Sequence, residues 1–466
     1  MTRFVFPFFC AIAIVTTGAS CSRADEIDDL VNAQLARQRT PGAAVAVVKA
    51  GRIVKVAAYG VTALAGGSPV RTDTVFPIQS MTKQFTAAGV LLLVEAGKID
   101  LDAPVSRYVE NSPPTWEKMT VRHLLTQTSG LHDFINEPAR NLRRDTTDEQ
   151  LLQGEAARPL KFAPGDAWDY SNTNYLLLGH IIHRVSGRWY GDFLAEHIFQ
   201  PLGMTRTGVV SARRPDLAEQ AIGHESENGR LRPSTILPAS IAGYAGGGIR
   251  STVLDLAKWD AALHRGQILS RASLALMWTP VKLNNGTTHG YGFGWEIDSI
   301  ANHRRVWHAG TWLGFAAQIE RYLDDELTVI VLTNLTTAAP ARIARAIAGS
   351  YVPALAAPVY RPIADREPAV TARFFEVLRR SHDGGLRAEE FTADVWSYVA
   401  THLDQMRRDM AAIGPIQKLT LVARTESAGR RSYRYQARFQ RTTLLFHFEL
   451  TPDDKIATMM PEQINQ

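Results

Sequence analysis

The sequence predicts an α/β (α+β) sandwich, in which one antiparallel sheet is flanked by helices, followed by a small C-terminal α+β domain. β-rich runs at residues 42–49 and 52–59 are separated by an Ala-Gly pair and predict one hairpin. Runs at residues 315–322 and 327–333 predict a second hairpin. Helical patterns fill the chain between them, so we expect strands from both ends of this region to share one sheet.

Residues 1–24 have the order of a secretory signal peptide. Arg3 gives a positive start, residues 4–17 form an uncharged apolar run too short to span a bilayer, and small residues follow. We expect cleavage after Ala24, and therefore an exported protein, either periplasmic or secreted.

Cys21 leaves a second kind of processing open. Gly18-Ala19-Ser20-Cys21 is partly similar to a bacterial lipobox, in which the cysteine is lipidated, although Gly18 stands where Leu is usual. The alternative is thus a lipoprotein with a membrane tether through Cys21. The other cysteine, Cys10, lies inside the leader, so no disulfide is expected within the mature chain.

The region between the hairpins contains the clearest helical signals. Residues 84–96 are apolar nearly all round and stop at Gly97, which predicts a buried helix with a glycine cap. Residues 175–185 predict another helix, closed by Gly187. A third helical stretch covers residues 341–351.

A proline-rich segment separates two domains. Four prolines fall between residues 352 and 369, so we predict a linker at 356–368 between a domain at 25–355 and a small α+β domain at 369–466. The small domain is expected to contain two helices and then three strands, at residues 372–381, 388–410, 419–424, 433–439 and 443–450.

The charge pattern argues against a nucleic-acid partner. The formal net charge is +5, and its arginines occur in scattered pairs such as Arg143-Arg144 and Arg379-Arg380 rather than in a basic run with aromatics. We expect a small-molecule or peptide substrate, while the oligomeric state stays open.

Ser80-Met81-Thr82-Lys83 is the first candidate catalytic element. A serine and a lysine at i and i+3 at the start of a helix stand about one turn apart on one face, where the amine can accept or relay the serine proton. The free N–H groups of the helix start favour a developing oxyanion, and burial would lower the pKa of the lysine. The alternative is an ordinary N-cap serine followed by a surface lysine.

Tyr170-Ser171-Asn172 is the second element. Residues two apart in an extended loop point to the same side, so the phenol of Tyr170 and the carboxamide of Asn172 can converge on one site. A tyrosine near a lysine can pass a proton to a leaving group. The alternative is a capped turn, with Asn172 as the N-cap of the next helix.

His308-Ala309-Gly310 is the third element and follows a strand-like run. On a strand, His308 and Gly310 share one face, and a glycine there lets a substrate backbone lie close to the strand. The N–H of Thr311 is the candidate second oxyanion donor, beside that of Ser80. The alternative is a solvent-facing histidine at a strand end.

The order S-x-x-K, Y-x-N, H-x-G resembles the serine β-lactamase and penicillin-binding-protein superfamily, and within it the class C β-lactamase branch, which includes D,D-carboxypeptidases, D-aminopeptidases and esterases. Four connecting segments are also typical of that branch, namely residues 76–80, 123–131, 246–252 and 291–295. The resemblance covers residues 27–352.

The resemblance implies a β-lactamase/transpeptidase-like fold with an additional helical subdomain. It implies an acylated Ser80, proton transfer by Lys83 and Tyr170, and substrate contacts from Asn172 and His308. It implies neither a metal nor an organic cofactor. The strand pattern adds Gly310 and Thr311 as candidate substrate-binding residues.

One departure from the branch bears on the substrate. Class C β-lactamases usually carry Lys-Thr-Gly where this chain has His308-Ala309-Gly310, and a histidine lacks the fixed positive charge of that lysine. This favours a peptidase, amidase or esterase, with Arg250 as a candidate replacement charge. The alternative function is a penicillin-binding or envelope-sensing protein with little or no turnover.

Overall fold

The computed structural model describes residues 23–136, 142–211, 220–227, 229–358 and 360–462. Cys21 and residues 1–22 of the expected signal peptide lie outside this part of the chain. Among the described residues, no helix combines the length and the apolar composition that crossing a bilayer requires.

Contacts divide the chain into two compact units, Met1–Ala356 and Ala357–Gln466. The described strands of the first unit are, in chain order, β1 (Gly42–Lys49), β2 (Arg52–Gly60), β3 (Phe76–Pro77), β4 (Gly208–Val209), β5 (His224–Glu227), β6 (Arg230–Pro233), β7 (Ile249–Ser251), β8 (Val281–Lys282), β9 (Thr288–His289), β10 (Glu296–Ile300), β11 (His303–Trp312), β12 (Phe315–Tyr322) and β13 (Leu327–Thr333).

Its described helices are α1 (Arg23–Gln38), α2 (Thr82–Glu95), α3 (Val121–Leu125), α4 (Asp148–Ala156), α5 (Asn172–Ser186), α6 (Tyr190–Leu194), α7 (Ala239–Ala242), α8 (Val253–Arg265), α9 (Arg271–Met277) and α10 (Pro340–Tyr351).

Six strands form the antiparallel central sheet, in the order β10-β11-β12-β13-β1-β2. Both predicted hairpins are present, and β1 pairs with β13, for example Val45 with Val331. The fold class is therefore confirmed: strands from the two ends of this region share one sheet.

Alternate side chains of β1 enter two different cores. Ala43, Val45 and Val47 belong to a buried cluster with α1 and α10, whereas Ala44, Ala46 and Val48 belong to the larger cluster on the other side. Since both faces are covered, the central strands read as continuous apolar runs rather than alternating ones.

Helix α2 lies within the larger core. Phe85 packs against Trp259 of α8, with ring centres 4.6 Å apart, and a Cβ added at Gly89 would lie 2.9 Å from Leu194 of α6. The helix is covered on several sides, which explains why its sequence is apolar nearly all round. Its first turn supports the candidate active site.

The second unit is a four-stranded antiparallel sheet, β14 (Ile416–Ser427), β15 (Arg430–Phe439), β16 (Thr443–Leu450) and β17 (Ile456–Glu462), with helices α11 (Pro368–Asp383) and α12 (Ala393–Ile413). Strand β17 was missed because its sequence alternates weakly and contains Pro461, which is tolerated because β17 is an edge strand. The predicted long second helix begins later, since buried Phe391 forms an extended bridge to Ile456.

Candidate active site

Ser80 lies in a short 3₁₀ turn, Gln79–Met81, immediately before α2. Gln79 and Met81 are buried, whereas Ser80 is half-buried. Gln79 has φ of 51°, a left-handed conformation that non-glycine residues adopt at a cost of about 1–3 kcal/mol when the surrounding structure imposes it. The turn therefore keeps one hydroxyl partly accessible between two buried side chains.

Strand β7 holds this turn in place. The N–H of Ile78 donates to the carbonyl of Ile249 at 3.0 Å, and the N–H of Ile249 donates to the Thr82 hydroxyl at 3.1 Å. The connecting segments quoted from the sequence, 76–80 and 246–252, are thus hydrogen-bonded neighbours.

Lys83 is fully buried, and its ammonium group has three acceptors. Nζ donates to Ser80 Oγ at 3.2 Å, to Asn172 Oδ1 at 2.9 Å and to the carbonyl of Gly246 at 2.8 Å. Burial lowers the pKa of Lys83 to about 7, and the negative charge of Asp133 only partly opposes this effect. Near neutral pH, the amine beside Ser80 can therefore accept a proton.

Asn172 is positioned by Asp133, a residue that the sequence analysis did not identify. Asn172 Nδ2 donates to Asp133 Oδ2 at 3.1 Å, and its Oδ1 also accepts from the Tyr244 hydroxyl at 3.0 Å. These contacts fix the amide with its oxygen toward Lys83. Ser171 is the N-cap residue and Asn172 the first residue of α5, so the predicted alternative of an Asn172 cap is wrong.

Glycines allow the chain to pass close to Lys83. A Cβ added at Gly246 would lie 2.5 Å from the Tyr244 ring, and one added at Gly248 would lie 2.6 Å from the backbone of Gly243. On the other side, a Cβ at Gly294 would lie 2.7 Å from the Lys83 backbone. These positions explain two of the glycine-rich segments noted in the sequence.

Tyr170 lies beside both Ser80 and Lys83. The Ser80 side chain lies near enough to its phenol to lower the pKa of that group, against the larger effect of burial, and Lys83 Nζ lies 4.8 Å from the centre of its ring. Burial raises the pKa of Tyr170 well above its usual value, so the phenol is protonated at neutral pH. The hydroxyl, the amine and the phenol thus lie together in one cluster.

His308 is buried in β11, and one of its ring nitrogens is fixed as a donor. Nδ1 lies 2.6 Å from the carbonyl of Ala309, which can only accept, so Nε2 is left to accept from the Tyr291 hydroxyl at 3.2 Å. Burial and the positive charge of Lys83 lower the pKa of His308 to about 3. The ring is therefore neutral at physiological pH and does not supply the positive charge of a lysine.

Gly310 lies against the turn that carries Ser80. A Cβ added there would lie 2.1 Å from the carbonyl oxygen of Ile78. This space was expected to admit a substrate backbone, but the carbonyl oxygen of Ile78 occupies it. Glycine is required here because β11 and the Ser80 turn approach each other closely.

Thr311 is exposed near the end of β11. The pairing of β11 with β10 ends at Trp307, whereas its pairing with β12 continues to Trp312. Among the described residues, the last part of β11 therefore has no strand partner on one edge. The structure places this edge beside Ser80, because Gln79 Nε2 donates to the Trp312 carbonyl at 3.3 Å.

The structure thus brings Ser80, Lys83, Tyr170, Asn172 and His308 into one cluster. Asp133 was missed although it follows the typical segment 123–131 by only two positions. Tyr244 gave no distinctive sequence signal, and Gly246, although it begins the typical segment 246–252, was not predicted to contact Lys83. In the part of the chain that the structure describes, no group of three or more His, Cys, Asp or Glu side chains could hold a metal ion.

Comparison with known proteins relates this site to one family. The profile of the Beta-lactamase family matches residues 27–351. Penicillin-binding protein 4* of Bacillus subtilis (strain 168) is 33% identical over 62% of this chain and 67% of its own. Esterase EstB of Burkholderia gladioli is 32% identical over 47% of this chain and 60% of its own, so the chain spans about 60–67% of the length of these two relatives.

A solved structure gives the same relationship. The D-amino acid amidase from Ochrobactrum anthropi SV3, complexed with L-phenylalanine amide, aligns with a TM-score of 0.60 at 27% identity, covering 67% of this chain and 91% of that one. The alignment supports the sandwich fold described above.

Proposed function

The chain belongs to the Beta-lactamase family, and on that basis we propose that it is a serine hydrolase that cleaves an ester or amide through an acyl-enzyme on Ser80. The hydrogen bond from Lys83 to Ser80, with the Tyr170 phenol beside both side chains, carries the proposal. The relatives named penicillin-binding protein, esterase and D-amino acid amidase support a carbonyl substrate, including D-amino-acid amides and peptides.

In the first step, Ser80 Oγ bonds to the substrate carbonyl carbon while its proton passes to neutral Lys83. The carbonyl oxygen becomes an oxyanion near the N–H groups of Ser80 and Thr311. The proton then moves through Tyr170 to the leaving alcohol or amine as the carbonyl–leaving group bond breaks. Water then attacks the acyl carbon while neutral Lys83 takes one of its protons. The bond between that carbon and Ser80 Oγ breaks, Lys83 returns the proton to Ser80 Oγ, and the acid is released.

Asn172 and His308 complete the proposed substrate site. Asn172 orients Lys83, and neutral His308 supplies no positive charge that would attract a substrate carboxylate. We therefore favour an ester, amide or small peptide over a β-lactam, whose carboxylate needs a cation.

The pH dependence of acylation follows from Lys83. Because the lowered pKa of about 7 means that the amine loses its proton as pH rises through neutrality, kcat/KM for an ester should increase about ten-fold from pH 6 to pH 8 and then level off. A stopped-flow profile with p-nitrophenyl acetate measures this. A flat profile across that range would contradict Lys83 as the base.

Covalent labelling tests the nucleophile. The pure protein is treated with a fluorophosphonate, and its mass is compared with those of Ser80→Ala and of Ser186→Ala, a remote control at the end of α5. We expect one adduct in the wild type and in the control, and none in Ser80→Ala. Unchanged labelling and ester turnover in Ser80→Ala would refute the proposal.

Labelling with a fluorescent penicillin, combined with an ester turnover assay, separates hydrolysis from simple binding. A penicillin-binding or envelope-sensing protein would form a stable adduct with a fluorescent penicillin and would not turn over any ester. A hydrolase would release p-nitrophenol repeatedly, at a rate proportional to enzyme concentration.

We also propose that the protein is exported. The charge order and apolar length of residues 1–24 support this. Intact mass measurement of the protein from an expressing bacterial envelope should show a chain beginning at Asp25, or a lipidated Cys21 in the alternative. A full-length chain confined to the cytoplasm would contradict export.

A further inference from the structure

We propose that a cavity beside Ser80 receives a bulky apolar acyl group of the substrate, an inference that rests on the proposed acyl-enzyme function. The cavity has a volume of about 550 Å³, within the range of about 300–1,000 Å³ typical of sites for small organic ligands. Its walls come from the start of the Ser80 turn, strand β7 and the end of β11.

The cavity adjoins the position of the reacting carbonyl. Gln79, the residue before Ser80, lines it, as does Gly247, the residue after the carbonyl that accepts from Lys83. Trp312, at the free edge of β11, forms another part of the wall. A group attached directly to the acyl carbon can therefore enter it.

The leaving group is expected on the other side of Ser80. Tyr170 delivers its proton, and the Tyr170 ring lies 6.4 Å from that of His308 and 6.3 Å from that of Tyr291. None of these three aromatic residues lines the cavity. Since the leaving group departs toward Tyr170, the cavity is left for the acyl side of the substrate.

The mouth of the cavity exposes aliphatic side chains to water. Ile236 is 91% exposed and Ile222 is 50% exposed, and both line the cavity together with Leu313 and Phe315. Covering these surfaces with an apolar ligand is favourable in proportion to the area removed from water.

Several polar groups of the lining already have partners within the protein. Ser234 Oγ donates to the Leu313 carbonyl at 2.9 Å, and the Thr235 hydroxyl accepts from Arg143 at 3.3 Å. Arg250, the candidate replacement charge, also has an interaction partner within the protein. The side chains left to contact a ligand are thus mainly apolar, which favours an uncharged alkyl or aryl acyl group over a charged one.

A series of p-nitrophenyl esters tests the inference, because the leaving group stays constant while the acyl chain grows. Full burial of one methylene group should raise kcat/KM about four-fold. Because the hexanoate ester is longer than the acetate ester by several methylene groups, even their partial burial should raise kcat/KM roughly ten-fold or more. If kcat/KM stays constant or falls from acetate to hexanoate, the inference is overturned.

The double variant Ile222→Ser/Ile236→Ser locates the effect. It should lose most of the hexanoate advantage, measured in the same protein as the ratio of kcat/KM for hexanoate to kcat/KM for acetate. Ile53→Ser/Val54→Ser is the matched control, since these side chains are 46% and 48% exposed on β2 and do not line the cavity. If both double variants lost the preference for hexanoate equally, the assignment of the acyl group to this cavity would be overturned.

Failure of the proposed function has a different signature. If hydrolysis of every ester persisted in Ser80→Ala, the acyl-enzyme itself would be wrong, whatever the chain-length profile. If Ser80 is labelled but no ester turns over, the labelling rates of ethyl and octyl fluorophosphonates replace kcat/KM, and equal rates would overturn the apolar site.

Discussion

Replacing Lys83 by methionine is expected to lower kcat/KM for ester hydrolysis by about 10²- to 10⁴-fold and to make the protein more stable at the same time. The loss of activity follows because Ser80 no longer has an amine within hydrogen-bond distance to take its proton. Activity against p-nitrophenyl esters and thermal unfolding at several pH values measure the two effects.

The gain in stability follows from the lowered pKa of Lys83, about 7 in the folded protein against 10.5 for an exposed lysine. Below pH 7 the group is charged in both states, so folding bears the full cost of burying the charge. That cost falls as pH rises from 7 to 10.5, because only the unfolded chain still binds the proton.

Methionine removes this cost but also loses the contacts to Asn172 and Gly246, so we expect a net gain of about 1–3 kcal/mol at pH 6. The gain should shrink by pH 10. Lys98→Met is the control, because Lys98 is exposed. A Lys83→Met protein that stays active, or whose stability relative to the wild type improves as pH rises, would contradict this account.

The second large effect is expected from Tyr170→Phe. If Tyr170 carries the proton to the leaving group, the loss depends on how much the leaving group needs one. A p-nitrophenolate leaves readily without a proton, so kcat/KM for its ester should fall about ten-fold. For an ethyl ester or an amide, kcat/KM should fall about 10³-fold.

The comparison of two leaving groups distinguishes this role from simple damage to the site, which would lower both rates equally. Tyr59→Phe is a suitable control, because the Tyr59 hydroxyl also donates to a side chain, Asp28, but does so away from the site. Equal losses for the two substrates in Tyr170→Phe would show that the phenol does not serve the leaving group.

Much of the fold could be predicted from local patterns. The hairpin of β1 and β2 and the hairpin of β12 and β13 agree with the predicted runs to within one residue, because short apolar runs bounded by turn residues report strands directly. The start of α12 was misplaced because Phe391 pairs with Ile456, which is distant in the chain, and no local signal encodes such a pair. Strand β17 was missed because its local pattern is weak and contains Pro461.

The residues of the candidate site likewise fall into two groups, those that local motifs predict and those that only the folded chain reveals. Ser80, Lys83, Tyr170, Asn172 and His308 were identified because reactive side chains occur there in motifs with fixed spacing. Asp133 and Tyr244 act on Asn172 from other segments, so only the folded chain shows them. For Gly310, the sequence indicated that a side chain is excluded, but the structure shows that the Ile78 carbonyl is what excludes it.

The sequence by itself determined which chemical groups are present and the order in which they occur: a hydroxyl and an amine one turn apart, a phenol, and a histidine in place of a lysine. Only the tertiary structure decided their protonation. Lys83 has a pKa near 7 and His308 one near 3 because both are enclosed by segments distant in the chain. Burial depends on everything that packs around a group, and no short stretch of sequence contains that information.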